Sequence, residues 1–525
     1  MYTRICNLGH GTYGNVVSVK RLKDDSIFAC KMFYVSSSST RLKGAIHLRE
    51  ADFMKRCDHP FLLKAIEVYY GSPFSEPLNI SQKRLDQVFI ITTQAKGNAH
   101  SFFNSHTIIA THAKRIMFQI TQALHYLHHH GVTHRDIKSS NVLIWFDPKW
   151  GSLINASLAD FGMCKPLTTE HLNSMDVGTG IYKSPELILG YGTYDLSSDI
   201  WSLATWYYEL FNGGEYLFSA KGKTDLSVLS KMFDVRGGPS HDAFLHLTEG
   251  CPSPIISYQG IRNIPKRDMH DLFIYERRKV DFDYPQKEEY ISTLMKTFES
   301  QPDDIPNFGT INEYAELLDW MLDLDPRKRP TIVQVLESPF FSKIPKDDDP
   351  LWFGLRHRPV DPCPHIVLEK IKNDTFRKQG LHVIGLYNSS STTIETVWRI
   401  GFLSLDIFDR VTVFLEKRER LSEFRPVELA ISCSYIATKY LIDEKSAALD
   451  FIFKNTLFNE ALVLEYEKII LTEVLDWMIY RKTVYDLLRT KVSPATLFKF
   501  LTKYDEAYNS KTIEEIAVIF EETVK

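Results

Sequence analysis

The chain has 525 residues, of which 44% are hydrophobic and 24% are charged, a composition typical of globular proteins and a length that predicts several domains. Its formal net charge of −4 provides no general attraction to nucleic acid or to an anionic membrane, so we expect neither as a partner. The sequence has no apolar run that is long enough to span a membrane and no signal-peptide pattern at residues 1–4. The seven cysteines form no CxxC pair, which argues against a disulfide framework or a zinc site. We therefore predict an intracellular protein of the cytoplasm or the nucleus.

The first motif is a glycine-rich stretch in which Gly9, Gly11 and Gly14 are followed by Val16. This spacing fits G-x-G-x-x-G-x-V, a loop whose small residues let backbone N–H groups approach phosphates. A dinucleotide-binding loop is the alternative, and it predicts a helix directly after the glycines. Residues 16–19 are instead rich in β-branched residues, which predicts a turn between two strands.

The second motif is the apolar run 28–33, which is interrupted by a single lysine, Lys31. A lysine on a strand after the glycine loop is typical of a phosphate contact; a lysine whose stem lies along an edge strand is the alternative. Apolar residues with helical spacing between positions 48 and 54 predict a helix, and Glu50 on it is the predicted carboxylate partner of Lys31. Residues 88–92 predict a further buried strand.

The third motif is the octet His-Arg-Asp-Ile-Lys-Ser-Ser-Asn at residues 134–141. It lies between a predicted helix and the apolar strand 142–145, and a loop held at both ends can keep catalytic groups in place. The octet fits H-R-D-x-x-x-x-N, in which the aspartate accepts the proton of a substrate hydroxyl and the asparagine holds a metal ion. Asp136 is therefore the candidate base, Asn141 a candidate metal ligand, and Lys138 a candidate phosphate contact.

The motifs that follow have the order found in serine/threonine protein kinases, and the chain resembles that family over residues 1 to about 342. Asp160 opens the triplet Asp-Phe-Gly and is the second predicted metal ligand. The stretch 177–186 resembles the end of a kinase activation segment, whose Glu186 would pair with Arg329. Asp199 resembles the aspartate that caps the catalytic loop.

The resemblance implies ATP and Mg²⁺ as cofactors and protein substrates as partners. Thr92 would be the gatekeeper of the nucleotide site, and the backbone at Gln94 and Ala95 would contact adenine. The ATP-binding residues implied by the family are Gly9, His10, Gly11, Thr12, Tyr13, Gly14, Val16, Ala29, Lys31, Thr92, Gln94 and Ala95. The catalytic residues are Lys31, Glu50, Asp136 and Lys138.

Within the family, residues 45–60 resemble the αC segment of cyclin-dependent kinases. That resemblance places Ser174 at the position of an activating phosphorylation, and the cations Arg49, Arg135 and Lys165 would bind its phosphate. An unmodified, exposed Ser174 is the alternative. The resemblance also implies that Thr179 bonds near the catalytic aspartate and lysine, and that Thr12 and Tyr13 occupy positions phosphorylated for inhibition. Gly178 is compatible with proline-directed substrates.

The remaining sequence predicts three further segments. Five prolines between positions 345 and 364 predict a linker over residues 343–376. Apolar residues with helical spacing at 397, 400, 403, 407, 411 and 414, and in the stretches 427–442, 446–453 and 462–480, predict an all-α domain over 377–480 and a helical tail over 481–525. Residues 404–411 and 431–440 resemble a cyclin box, with a generic helical bundle as the alternative. The cyclin resemblance implies that Lys439 and Glu467 face the kinase and that Asp409 pairs with Arg377.

Together these features predict an α+β bilobal protein kinase fold followed by an all-α cyclin-like helical domain. The function they imply is that of a serine/threonine kinase with its own tethered cyclin-like activator. The cyclin box would dock on the helix at residues 48–54 within the same chain and set the pair of Lys31 with Glu50. The tether would raise the effective concentration of the activator to the order of millimolar. The alternative is a binding protein whose cyclin box recruits a separate kinase while its own kinase half is inactive.

Overall fold

The computed structural model describes residues 1–11, 14–33, 45–75, 88–103, 108–146, 154–166, 180–189, 195–212, 214–219, 224–248, 257–269, 311–342, 384, 394–441, 459–476 and 479. The strands are β1 (Tyr2–Gly11), β2 (Gly14–Arg21), β3 (Ile27–Phe33), β4 (Ala65–Tyr70), β5 (Val88–Thr93), β6 (Gly97–Asn98), β7 (Val132–Thr133), β8 (Val142–Phe146), β9 (Ile154–Leu158) and β10 (Lys165–Pro166).

The α-helices in the described residues are α1 (Ala45–Arg56), α2 (Ala99–Phe103), α3 (Ile108–His129), α4 (Pro185–Ile188), α5 (Leu196–Phe211), α6 (Asp225–Arg236), α7 (His241–Leu247), α8 (Tyr258–Ile261), α9 (Ile311–Met321), α10 (Ile332–Leu336), α11 (Pro339–Ser342), α12 (Ile394–Lys417), α13 (Pro426–Leu441) and α14 (Glu460–Ile469). The shorter 3₁₀ turns are Ser139–Asn141, Phe161–Met163, Gly180–Tyr182, Pro326–Lys328 and Leu421–Glu423, and a π-helical turn covers Ile470–Val474. None of these helices is long and apolar enough to cross a membrane.

The chain forms two compact units that do not follow the order of the sequence. The first unit contains residues 1–57, 64–93 and 360–525, and the second contains 58–63 and 94–359. The N-terminal sheet and the C-terminal helices thus belong to one unit. The predicted linker 343–376, the helix 446–453 and the tail 481–525 lie outside the described residues.

The first unit begins with an antiparallel sheet of order β1-β2-β3-β5-β4. Alternate residues of β3 point to opposite faces: Cys30 and Met32 join the core formed with Val17, Val19 and Phe89. The residue between those two is Lys31, which this alternation directs to the other face of the sheet.

The C-terminal helices of the first unit follow the predicted helical periodicity closely. Helix α12 buries Ile407 and Val411, which lie four residues apart on one face. The same periodicity also placed Phe414 in the core, but Phe414 is half-exposed beneath the Arg418 guanidinium, and Leu415 is buried instead. The helical repeat explains this difference, because a step of four residues from Val411 leads to Leu415 on the same face of the helix.

The last predicted helix, 462–480, is interrupted in the structure. Helix α14 ends at Ile469, and the following turn widens to a π-helix in which the Leu475 N–H donates to the Ile470 carbonyl over 2.9 Å. Asp476 then has a positive φ of 42°. The widened turn changes which residues face the neighbouring helices, an effect that a periodicity of 3.6 residues does not predict.

The second unit is built around helix α5, whose residues from Ser198 to Phe211 are buried. Trp201 stacks on Phe218 at 5.4 Å between ring centroids, and Phe211 stacks on Tyr314 at 3.9 Å. Helix α3 packs on β9 through Gln119, whose side chain accepts from the Ala156 N–H over 2.8 Å. These contacts give the loop that contains residues 134–141 a rigid base.

Candidate active site

The glycine-rich stretch contributes to two paired antiparallel strands, β1 and β2, as its β-rich continuation predicts. Gly11 pairs with Gly14 where β1 meets β2, and residues 12 and 13 lie outside the described residues. A Cβ on Gly14 would lie 2.1 Å from the carbonyl oxygen of Met32, so only glycine lets β2 run this close to β3. The strand at this place removes the helix that a dinucleotide-binding loop requires.

Lys31 and Glu50 form an ion pair within the first unit. The Lys31 Nζ lies 2.7 Å from each carboxylate oxygen of Glu50. The Glu50 side chain is 2% exposed and that of Lys31 is 17% exposed. The pair therefore fixes a partly accessible ammonium group on β3 through a carboxylate buried on α1.

Beside this pair, β5 supplies the predicted gatekeeper. Thr92 is buried and pairs across the sheet with Ala29, and its hydroxyl donates to the Thr93 carbonyl over 3.2 Å. Gln94 and Ala95 follow β5 as half-buried residues outside any strand. His10 and Val16 lie in β1 and β2.

In the second unit, the catalytic loop holds its three predicted functional side chains together. Asp136 Oδ2 accepts from Lys138 Nζ over 2.7 Å and from Asn141 Nδ2 over 3.0 Å. The same amide nitrogen donates to the Asp136 carbonyl over 2.8 Å. Because the amide nitrogen of Asn141 is committed to Asp136, its Oδ1 is the atom that can serve as a metal ligand.

Asp199 caps this loop from the start of α5. Its two carboxylate oxygens accept from the backbone N–H groups of His134, over 2.8 Å, and of Arg135, over 2.9 Å. His128 also approaches Oδ2, with its Nε2 at 3.0 Å. Burial alone would raise the pKa of the Asp199 carboxyl, but the bond and charge of His128 and the backbone donors outweigh it, and the net pKa is lowered. An ionised Asp199 thus stabilises the loop through these bonds. One of its donors, Arg135, has a positive φ of 72°.

Asp160 follows β9 in the left-handed region, with φ 67° and ψ 72°. The next residue, Phe161, is fully buried and meets the His134 ring edge to face at 5.8 Å. His134 Nε2 lies 3.2 Å from the Ala159 carbonyl. Burial lowers the pKa of His134, which keeps its imidazole neutral near pH 7. The half-buried Asp160 thus lies between two residues, Ala159 and Phe161, that both contact His134.

The end of the activation segment is anchored by the predicted pair. Arg329 Nη1 and Nη2 donate to the two carboxylate oxygens of Glu186 over 2.7 and 2.8 Å, and the Ser198 hydroxyl donates to Oε1 over 2.9 Å. The Arg329 guanidinium also lies over the Trp201 ring at 4.9 Å. This two-pronged geometry is the strong form of an arginine–carboxylate contact.

The predicted regulatory positions are only partly described. Thr12, Tyr13, Ser174, Gly178 and Thr179 lie outside the described residues. Of the cations assigned to a phosphate, Arg49 lies on α1, Arg135 is buried in the catalytic loop, and Lys165 belongs to β10, which pairs with β7.

The C-terminal positions are also partly described. Lys439 Nζ lies 2.6 Å from Glu467 Oε1, and both side chains are buried. Asp409 is buried on α12, and its predicted partner Arg377 lies outside the described residues.

Sequence reasoning proposed the helix at residues 48–54 as the docking surface of the C-terminal domain, but it did not identify the individual contacts between α1 and the C-terminal residues, all within the first unit. Arg49 Nη1 donates to the Tyr440 carbonyl over 3.0 Å, and Asp52 accepts from the Tyr440 hydroxyl over 2.7 Å. Asp52 also accepts from the Ile479 N–H over 2.7 Å, and Lys55 Nζ lies 3.0 Å from Asp476. The sequence did contain one signal of these contacts: Asp52 lies four residues after Leu48 and therefore on the apolar face of the predicted helix.

Comparison with known proteins extends these observations. The protein kinase domain family model matches residues 2–341. The chain is 26% identical to a probable CTD kinase subunit alpha homolog of Encephalitozoon cuniculi over 66% of this chain and 86% of that protein. It is 24% identical to a probable cyclin-dependent kinase 10 of Dictyostelium discoideum, over 66% and 80%. It is 27% identical to the human serine/threonine-protein kinase MAK, over 65% and 45%.

The family model covers well over half of the chain, and these relatives include kinases of the cyclin-dependent type. None of these findings favours the interpretation as a binding protein with an inactive kinase half. The chain belongs to the protein kinase family, and it is a serine/threonine protein kinase.

Proposed function

We propose that this kinase is of the cyclin-dependent type and that its own C-terminal helices act as a cyclin-like activator. The observation that carries the proposal is the double role of helix α1. This helix contributes Glu50 to the ion pair with Lys31, and it is bonded to the C-terminal helices through Arg49, Asp52 and Lys55. A surface that holds α1 therefore also holds the carboxylate that positions Lys31.

The rotation of α1 links the two roles physically. Successive residues of an α-helix are separated by about 100° around its axis, so contacts at positions 49 and 52 fix the direction in which Glu50 points. Glu50 is itself 2% exposed. We infer that the C-terminal helices activate the kinase by keeping α1 in the orientation that gives Lys31 its partner.

The proposed chemistry assigns a task to each group of this chain. Lys31 binds phosphate oxygens of ATP, and its charge is held in place by Glu50. Asp136 orients the substrate hydroxyl and accepts its proton, and Lys138, which is 2.7 Å from Asp136, offsets negative charge that develops on the transferred phosphoryl group.

The residues present fit the Mg²⁺ that the kinase family uses. Mg²⁺ prefers hard oxygen ligands and takes one or two carboxylates together with nucleotide phosphates. Asp160 supplies a carboxylate, and Asn141 supplies an amide oxygen whose orientation is set by the two bonds of its nitrogen to Asp136. When bound, the ion neutralises charge on the phosphates.

The proposed test measures ATP-dependent phosphorylation of a histone or another basic protein. The full chain, its Asp136→Asn variant and a chain ending at residue 345 are compared at equal concentration. Hydrogen exchange of α5, which belongs to the second unit, verifies that the shortened chain keeps that unit folded. We expect activity in the full chain alone.

Full activity in the shortened chain would refute the activator role and would leave the C-terminal helices as a targeting module. Equal activity in the Asp136→Asn chain would refute the assignment of Asp136. The two outcomes are independent, so each part of the proposal can fail separately.

A further inference from the structure

Asp52 is an unusual residue for the buried face of a helix. It is fully buried on α1, four residues after the buried Leu48. Burial raises the pKa of its carboxyl, while the charge of Arg56 and the bonds from Arg56, Tyr440 and the Ile479 N–H oppose that effect. A carboxylate in such a place is costly unless both of its oxygens are satisfied.

The two oxygens of Asp52 are satisfied by different elements. Oδ1 accepts from the Ile479 N–H over 2.7 Å, and Oδ2 accepts from the Tyr440 hydroxyl over 2.7 Å. Arg56, one turn further along α1, also donates to Oδ2. The Arg56 bond is internal to α1, whereas the other two donors are Tyr440 on α13 and Ile479, which follows the π-helical turn.

Tyr440 contacts α1 through two of its groups, the side-chain hydroxyl and the backbone carbonyl. Its hydroxyl donates to Asp52, and its carbonyl accepts from Arg49 over 3.0 Å. Positions 49 and 52 are three residues apart and therefore adjacent on the surface of the helix. A side chain of the same shape without the hydroxyl would keep the second contact and lose the first.

We propose that Asp52 is the specificity-determining contact of α1, so that the helix favours a surface that supplies a hydroxyl and a backbone N–H at this carboxylate, as the chain's own residues Tyr440 and Ile479 do. This inference rests on the proposed function and deepens it. A partner that lacks a matching donor leaves the buried carboxylate with fewer bonds in an apolar surrounding, and it therefore binds more weakly. A helical surface with phenylalanine or leucine in place of Tyr440 is therefore disfavoured.

The test uses the full chain and compares Tyr440→Phe with a matched control. Tyr466→Phe removes the hydroxyl of another buried tyrosine, and among the described residues this hydroxyl makes no bond to α1: it accepts from the Arg425 N–H over 3.1 Å and donates to the Glu423 carbonyl over 3.4 Å. Hydrogen exchange of the α1 amides is measured together with kinase activity. We expect Tyr440→Phe to speed α1 exchange by about 10-fold, and Tyr466→Phe to leave it unchanged.

A double-mutant cycle with Asp52→Asn tests whether the hydroxyl acts through the carboxylate. A hydrogen bond from a hydroxyl to a neutral amide oxygen is weaker than one to a carboxylate, so the effect of Tyr440→Phe on α1 exchange should shrink several-fold in the Asp52→Asn chain. Equal effects of Tyr440→Phe in both chains would overturn the proposal. So would identical α1 exchange in the Tyr440→Phe and Tyr466→Phe chains.

The failure of this inference is distinguishable from the failure of the proposed function. If removal of residues 346–525 abolishes activity while Tyr440→Phe leaves α1 exchange unchanged, the activator role stands and the specificity of Asp52 is refuted. If Tyr440→Phe loosens α1 while activity stays complete, the contact stands and the activator role is refuted.

Discussion

At the scale of single residues, Asp136 is the proposed catalytic base, and its Oδ2 accepts hydrogen bonds from Lys138 and Asn141. Replacement by asparagine keeps the size of the side chain and removes its capacity to take a proton. We therefore expect Asp136→Asn to lower kcat by about 100- to 10,000-fold with an unchanged melting temperature. Steady-state kinetics and thermal unfolding measure the two quantities. Retention of more than about a tenth of the wild-type kcat would contradict the role of Asp136 as the base.

Glu186 gives a prediction for acid stability. Burial by itself would raise the pKa of this carboxyl, but the charge and bonds of Arg329 outweigh it, and the net pKa lies below its ordinary value of 4.5. A lowered folded-state pKa means that the stabilisation is present above pH 4.5 and is lost as the pH falls below that value. Glu186→Gln leaves Arg329 buried without its ion-pair partner, which costs about 3–5 kcal/mol at pH 7.

Thermal unfolding of the wild type and of Glu186→Gln between pH 3 and pH 7 tests this expectation. The difference between their melting temperatures should be largest at pH 7 and should narrow as the pH falls through the lowered pKa of Glu186. Asp242→Asn is the matched control, because Asp242 pairs with Arg327 at the surface and its side chain is 81% exposed. That change should cost less than about 1 kcal/mol. A pH-independent difference would contradict the assignment.

At the scale of elements, the approach of β2 to β3 depends on one glycine of the glycine-rich stretch and not on another. A Cβ at position 14 would lie 2.1 Å from the Met32 carbonyl oxygen, whereas a Cβ at position 9 would meet no atom within 4 Å. We expect Gly14→Ala to displace β2 from β3 and to cost about 1–3 kcal/mol. Gly9→Ala should leave the stability nearly unchanged. Chemical denaturation measures both, and equal losses would contradict the steric explanation.

The elements also show which parts of the molecule could be predicted from the sequence. The catalytic loop was predictable because Asp136, Lys138 and Asn141 lie within six residues, and local spacing determines their contacts. The pair of Glu186 with Arg329 was accessible only through family resemblance, since the residues are 143 positions apart. The bonds of Asp52 to Tyr440 and Ile479 span 388 and 427 positions. A local sequence pattern does not indicate partners that lie so far apart in the chain.

At the scale of the whole molecule, the first unit joins the two ends of the sequence, so its parts should lose stability together. Lys439→Met leaves Glu467 buried without its partner and should cost about 3–5 kcal/mol. Hydrogen exchange should then accelerate in α13 and also in α1, because Tyr440 on α13 bonds to α1. Exchange in α5 of the second unit should not change.

The control for this prediction is Arg420→Met, which breaks a surface pair with Glu473 whose side chains are 32% and 47% exposed. It should cost less than about 1 kcal/mol and leave α1 unchanged. If Lys439→Met accelerates exchange in α13 but not in α1, the two ends of the chain do not unfold as one unit.

The dependence of α1 on residues 440 and 479 has a consequence during translation. A ribosome that adds 5–20 residues per second needs roughly 20 to 80 s to proceed from residue 93 to residue 479. Throughout that interval the nascent chain has completed the N-terminal sheet and α1 but has not yet made the donors that satisfy Asp52. We expect the nascent kinase to emerge with this carboxylate still hydrated and to become competent only after residue 479 has been synthesised. The order of synthesis would thus delay activity in a chain whose kinase domain, residues 2–341, has already been made.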